Sequence, residues 1–151
     1  MGSIRNRVRD LLLGGVSPEK IALSFALGLA LGIIPALGWT TLLCAGAAWA
    51  FRLNLPAIQL VNYLAYPLQI ALLVPFLQLG SWAFGGAEVA LSVGEIVALI
   101  QADVIRAISE LWWATVHALA VWALLSPVLI GSVYFFLVPV FRTMERKWKA
   151  S

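Results

Sequence analysis

Three stretches of this chain contain no Asp, Glu, Lys or Arg: Ile21–Phe51 with 31 residues, Leu53–Ala87 with 35 and Leu111–Phe141 with 31, together 97 of 151 residues. An ordinary soluble domain has no room for so much uncharged apolar chain. Charged residues make up only 11% of the sequence, where roughly 25% is usual, and the apolar set reaches 62% before glycine is counted. The pattern predicts an all-α, polytopic helical membrane protein, since helices satisfy their own backbone groups where no water is present.

The charges between the runs set an orientation. Residues 1–20 sum to +2, Arg52 adds +1, residues 85–110 sum to −3 and residues 142–151 sum to +3. By the positive-inside rule, both termini and Arg52 face the cytoplasm and residues 85–110 lie on the other side. The basic residues flank apolar spans, which predicts anionic lipid headgroups as partners and no nucleic acid. Arg5, Arg7 and Arg9 precede an apolar stretch, Leu11–Gly15, too short for a signal-peptide core, so the first long run is expected to be retained. Cys44 is the one cysteine; within an apolar run it is expected to be a protonated, inert thiol.

Length decides how the first run folds. As one helix, 31 residues would rise about 46 Å against a hydrocarbon core of about 30 Å, a tilt of roughly 50°. Pro35-Ala36-Leu37-Gly38 offers a break, because an interior proline removes a helical hydrogen bond and clashes with the preceding turn. Residues 21–51 are therefore expected to form a re-entrant or short helical hairpin broken at 35–38. Ser17-Pro18-Glu19 marks its start, with a cap hydroxyl, proline at the first helical position and an acid in the first turn. Ser24, Gly28 and Gly32 form a small-residue packing face on the first arm. That face, with Ala45–Ala48 of the second arm, is expected to meet its counterpart or a second copy of the chain.

Residues 53–84 are expected to form a kinked transmembrane helix in which Gln59, Asn62, Tyr66 and Gln69 share an arc of about 80°. An inward polar stripe of this kind is either interhelical glue or a substrate-lining surface. Pro67 and Pro75 free the carbonyls of Tyr63 and Ala71, and the amides of Asn62 and Gln69 are the expected partners. Residues 85–110 read as one amphipathic helix on the outer face, opened by Ser92-Val93-Gly94-Glu95. Asp103, Arg106 and Glu110 at helical spacing form either a solvated ion-pair face or a catalytic cluster, and the ion-pair face is the simpler reading. Residues 111–141 return across the membrane, with Trp112-Trp113 at the interface and Pro127 and Pro139 as breaks, and 142–151 form a basic tail. His117, the only histidine, has no cysteine or carboxylate at ligand spacing, so a packed side chain outweighs a metal or proton-relay role. The equal lengths of the first and third runs hint at an inverted repeat.

Read in order, Ser17-Pro18-Glu19, Gly28, Gly32, Pro35, Gly38, Thr40-Thr41, then Arg52, Asn54 and Pro56, then Asn62-Tyr63 and Tyr66-Pro67 with Gln69, the chain resembles a bacterial family of unknown function numbered 2062 (DUF2062), small integral inner-membrane proteins. The resemblance covers roughly residues 10–85. It implies a location in the bacterial cytoplasmic membrane and brings no reaction with it.

Without a nucleophile, paired carboxylates or metal ligands within the membrane, no enzyme, metal or cofactor is expected. The sharper expectation is transporter-like handling of an anionic or lipid-linked substrate at a broken-helix site. Pro35, Gly38, Trp39, Thr40, Thr41, Arg52, Asn54, Asn62, Tyr66 and Gln69 are its candidate residues. The alternative is a scaffold module that binds another membrane protein. Either reading favours a homo-oligomer or complex, since three or four membrane elements leave little room to enclose a path.

Overall fold

The fold is seen in a computed structural model, which describes residues 2, 3, 6, 10, 16–36, 38–85 and 93–150. Arg5, Arg7, Arg9, Leu37 and Ser92 lie outside the described residues, and with them the basic N-terminal cluster and the expected cap at Ser92. The secondary structure of the described residues is helical, without a strand.

Helix α1, Pro18–Gly32, starts as its sequence predicts: Ser17 Oγ accepts from the Lys20 amide at 3.4 Å and Pro18 occupies the first turn. It ends before Pro35, and α2 resumes at Thr40–Phe51. Helix α3, Leu55–Phe84, is opened by Asn54, whose side chain accepts from the Ala57 amide at 3.0 Å. It is closed by Gly85 in the left-handed region. Helix α4 spans Val93–Ala102 and α5 spans Val104–Lys149.

Two expectations are corrected here. The stretch 85–110 is not one amphipathic helix, because Asp103 breaks it and caps α5, accepting from the amides of Ile105 and Arg106 at 3.0 and 3.1 Å. Arg106 and Glu110 pair across one turn at 2.8 Å on an exposed face, so the charges at 103–110 serve a cap and an ion pair. The last run is likewise not broken at its prolines. Helix α5 continues through Pro127 and Pro139 for 46 residues, as α3 continues through Pro67 and Pro75 for 30.

These two helices are long and apolar enough to cross a membrane. Helix α1 packs between them, and α2 packs on α1 and α3. The glycines decide how near the helices come. A Cβ on Gly28 would lie 2.8 Å from the Ile58 carbonyl oxygen, and one on Gly32 would lie 2.8 Å from the Ala65 Cβ. Because both positions advance together, α1 and α3 run parallel. A Cβ on Gly80 would stand 2.7 Å from the backbone of His117 and Ala118, so α3 and α5 touch main chain to main chain. The face of Gly28 and Gly32 therefore meets α3, not the second arm and not a copy of the chain. Helix α2 instead turns Cys44 and Ala48 inward against Ile58, Leu27 and Leu31.

Candidate functional site

The break between α1 and α2 is where the backbone leaves helical geometry inside an apolar run. Proline at 35 has no amide to donate, and the preceding turn tightens: Ile34 donates to the Leu31 carbonyl at 3.3 Å, leaving the Ala30 carbonyl without its helical partner. The indole of Trp122, on α5, donates to that carbonyl at 2.8 Å. Gln69 Nε2, on α3, donates at 2.8 Å to the Ile34 carbonyl, which also accepts from the Ala36 amide at 2.7 Å. On the far side of the break, Gln59 Nε2 donates to the Thr41 carbonyl at 3.0 Å, and Asn62 Nδ2 donates to Gln59 Oε1 at 3.2 Å. A broken helix end at depth needs such partners, since an unpaired carbonyl in an apolar setting is costly. Two neighbouring helices thus hold the break.

The polar stripe is divided. Asn62 and Gln69 are buried and Gln59 is half-buried beside the break, but Tyr66 is 54% exposed on the outside of α3. Neither amide turns to the carbonyls that Pro67 and Pro75 free; Gln69 is committed to the hairpin, and Asn62 to Gln59, which in turn bonds the hairpin. Of the two readings of the stripe, bracing is the one these bonds support.

Pro35 and Thr40 are buried, while Gly38, Trp39 and Thr41 are exposed. Gly38 adopts φ +88°, a conformation that glycine supplies without strain. Trp39 precedes α2 without a side-chain cap, so the first amides of that helix carry no capping group and keep their partial positive charge. Ser24 returns its hydroxyl to the Lys20 carbonyl at 2.8 Å and sits with Gly28 and Gly32 in the packed side of α1.

Arg52 and Asn54 are not part of this cluster. They lie past the other end of α2, about 18 Å from Thr40 along a twelve-residue helix. Arg52 closes α2 in the left-handed region, φ 53°, the one non-glycine residue with positive φ among those described, and its side chain is exposed. Asn54 is spent as the cap of α3. The site therefore contracts to Pro35–Thr41 with Gln59, Asn62 and Gln69, and it gains Trp122. The indole is far away in sequence, and an apolar run rich in tryptophan carries no mark of which one bonds a carbonyl. His117 packs face to face with Phe84 at 5.1 Å, a packed side chain as expected. Among the described residues no three His, Cys, Asp or Glu side chains converge as metal ligands would.

No curated protein and no solved structure matches this chain. A family described as "Uncharacterized protein conserved in bacteria (DUF2062)" matches residues 2–149. The similarity read over residues 10–85 thus extends through the last helix, and the chain belongs to that bacterial family.

Proposed function

We propose that this protein is a multi-pass protein of the bacterial inner membrane whose broken hairpin handles an anionic or lipid-linked substrate, without catalysing a reaction. The membrane placement is supported by exposure. The most apolar window of α5 is only 6% buried, whereas the core helix of a soluble protein would be mostly covered. The hairpin of α1 and α2 enters and leaves from the cytoplasmic side in this reading, which places both termini and Arg52 in the cytoplasm. Glu19, at the start of α1, pairs with Arg142, near the end of α5, at 2.6 Å, as two ends on one side would.

The observation that carries the substrate reading is the held break. Gln69, Gln59 and Trp122 fix a helix interruption whose outgoing helix begins uncapped at Thr40, beside the exposed Thr41 hydroxyl. Oriented amides at a helix start favour an anionic group. Arg52, one helix length away at the expected cytoplasmic surface, would draw such a group toward the protein.

A second reading is favoured by the bonds of the amides themselves. Because Asn62 and Gln69 brace the fold, the hairpin also suits a scaffold that presents its second arm to another membrane protein or a second copy. Mass spectrometry of the purified protein separates the two. A stoichiometric anionic lipid that is lost in Thr41→Val and Arg52→Ala supports substrate handling, and a co-purifying protein in its place supports the scaffold. Cysteine labelling in a Cys44→Ala background tests the topology: labelling of Arg52→Cys only from outside the cell would refute the hairpin's orientation.

A further inference from the structure

At the opposite end of α1 from the break, an open groove of about 260 Å³ runs between α1 and α5, lined by Glu19, Lys20, Leu23, Ile130, Gly131 and Tyr134. Its walls are almost entirely apolar and its mouth is charged. Gly131 is what leaves it open, since a Cβ there would meet nothing within 4 Å. This sets Gly131 apart from Gly28, Gly32 and Gly80, each of which is filled by a neighbouring helix.

The charges at this end of α1 and α5 have one sign left over. Glu19 is neutralised by Arg142 at 2.6 Å, and Glu145 by Lys149 at 2.6 Å. Lys20, Arg146 and Lys147 have no ion-pair partner among the described residues. Of these Lys20 lines the groove itself, so an unpaired cation stands at the polar end of an apolar groove. An anionic phospholipid has the complementary shape, an apolar chain attached to a phosphate.

We propose that this groove binds one anionic phospholipid, with an acyl chain along Leu23, Ile130, Gly131 and Tyr134 and its phosphate on Lys20. The site rests on the membrane placement above and is independent of the substrate reading at the break. The occupant fits the charge better than a second copy of this chain does, because a copy would bring its own basic end to the same place. A neutral lipid fits the apolar wall but leaves Lys20 unmatched.

The test is native mass spectrometry of the full chain in detergent, titrated with phosphatidylglycerol and, separately, with phosphatidylcholine of the same acyl chains. The wild type is expected to retain one phosphatidylglycerol per chain and to prefer it over phosphatidylcholine. Gly131→Leu fills the groove without meeting another atom at its Cβ and is expected to reduce retention of both lipids about tenfold. Lys20→Gln, an exposed substitution that leaves the fold intact, is expected to abolish the preference between the two lipids. Unchanged retention in Gly131→Leu, or an undiminished preference in Lys20→Gln, overturns the site. So does a dimer that Gly131→Leu dissociates while lipid retention stays the same. Recovery of the protein in the soluble fraction would instead refute the membrane placement. Loss of lipid in Thr41→Val with no change in Gly131→Leu would place the lipid at the break and not in the groove.

Discussion

The two arms of the hairpin are made of nearly the same material and meet opposite fates. Helix α1 is wedged between the two long helices, with Ile21, Ala22, Ser24, Ala26, Gly28, Ala30 and Gly32 all buried. Helix α2 buries only Thr40, Cys44 and Ala48, a single line at four-residue spacing, and turns Leu42, Trp49 and Phe51 outward. Hydropathy does not separate them, since both are uncharged and apolar within the first run. Side-chain size does not either, since α2 carries Ala45, Gly46, Ala47 and Ala50 beside its buried line; what differs is whether another helix comes close. Lipid is as apolar as leucine, so helices associate in a membrane through close packing and not through a hydrophobic drive. The arm whose glycines, Gly28 and Gly32, are met by α3 becomes the centre, and the arm whose Gly46 meets nothing within 4 Å becomes the edge.

The largest expected effect comes from adding bulk to α1 where α3 meets it. Gly28→Leu would drive a side chain into the Ile58 carbonyl, 2.8 Å from where a Cβ would stand, and should destabilise the protein by about 3 kcal/mol. Gly46→Leu on α2 faces open space and should shift stability by less than about 0.5 kcal/mol. Thermal unfolding in detergent reads both. Similar losses at the two positions would mean that the arms are not packed differently.

Next in size are the side chains that hold the break. Trp122→Phe keeps the ring packing and removes the donor to the Ala30 carbonyl, and Gln69→Leu removes the donor to Ile34. Each should cost about 1 kcal/mol, within the range of interhelical hydrogen bonds in membranes. Because the two donors serve one interruption, their double variant should depart from additivity.

Arg52 sharpens the contrast from the far end of α2. A non-glycine residue in the left-handed region carries about 1 kcal/mol of backbone strain, so Arg52→Gly should raise stability by about that amount and Arg52→Ala should not. If both variants lose lipid or partner binding, the guanidinium has a role that outweighs its strain.

The smallest effect is the pH response of the tie between α1 and α5. The backbone amide at the start of α1, and then the Arg142 guanidinium, hold the Glu19 carboxyl below the ordinary carboxylate range. A lowered folded-state pKa contributes stability that is present above the unfolded value and is lost as pH falls through the folded one. Wild type should therefore lose slightly more stability than Glu19→Gln when melted at descending pH through that window. The pair is exposed and screened, so the difference should shrink in salt.

Much of the first hairpin could be read from the chain alone, though not the contrast between its arms. The cap at Ser17, the interruption after Gly32 and the small face of α1 all follow from local rules, because each is a matter of residues a turn apart. The partner of that small face did not. Gly28 and Gly32 advertise close approach, but only the register of α3 selects Ile58 and Ala65 as what approaches. The proline signal was misleading in α5, where the helix runs on through Pro127 and Pro139, since a membrane helix tolerates a missing bond that a soluble helix would not. The candidate site was half legible. Gln69 and Asn62 were found by their polarity in an apolar run, whereas Tyr66 shares their spacing and faces outward, and Trp122 had no local signal at all.

The bond from Trp122 to the Ala30 carbonyl spans 92 residues of sequence, and it has a consequence for biosynthesis. At 5–20 residues per second, roughly 5–18 s separate the emergence of its two ends from the ribosome. During that interval the Ala30 carbonyl lacks the indole that answers it in the finished fold, and α5 is still missing from the side of α1. A helix end made 92 residues earlier is therefore completed late, and a chain halted before residue 122 would offer an incomplete helix end to whatever chaperone or insertase stands beside it.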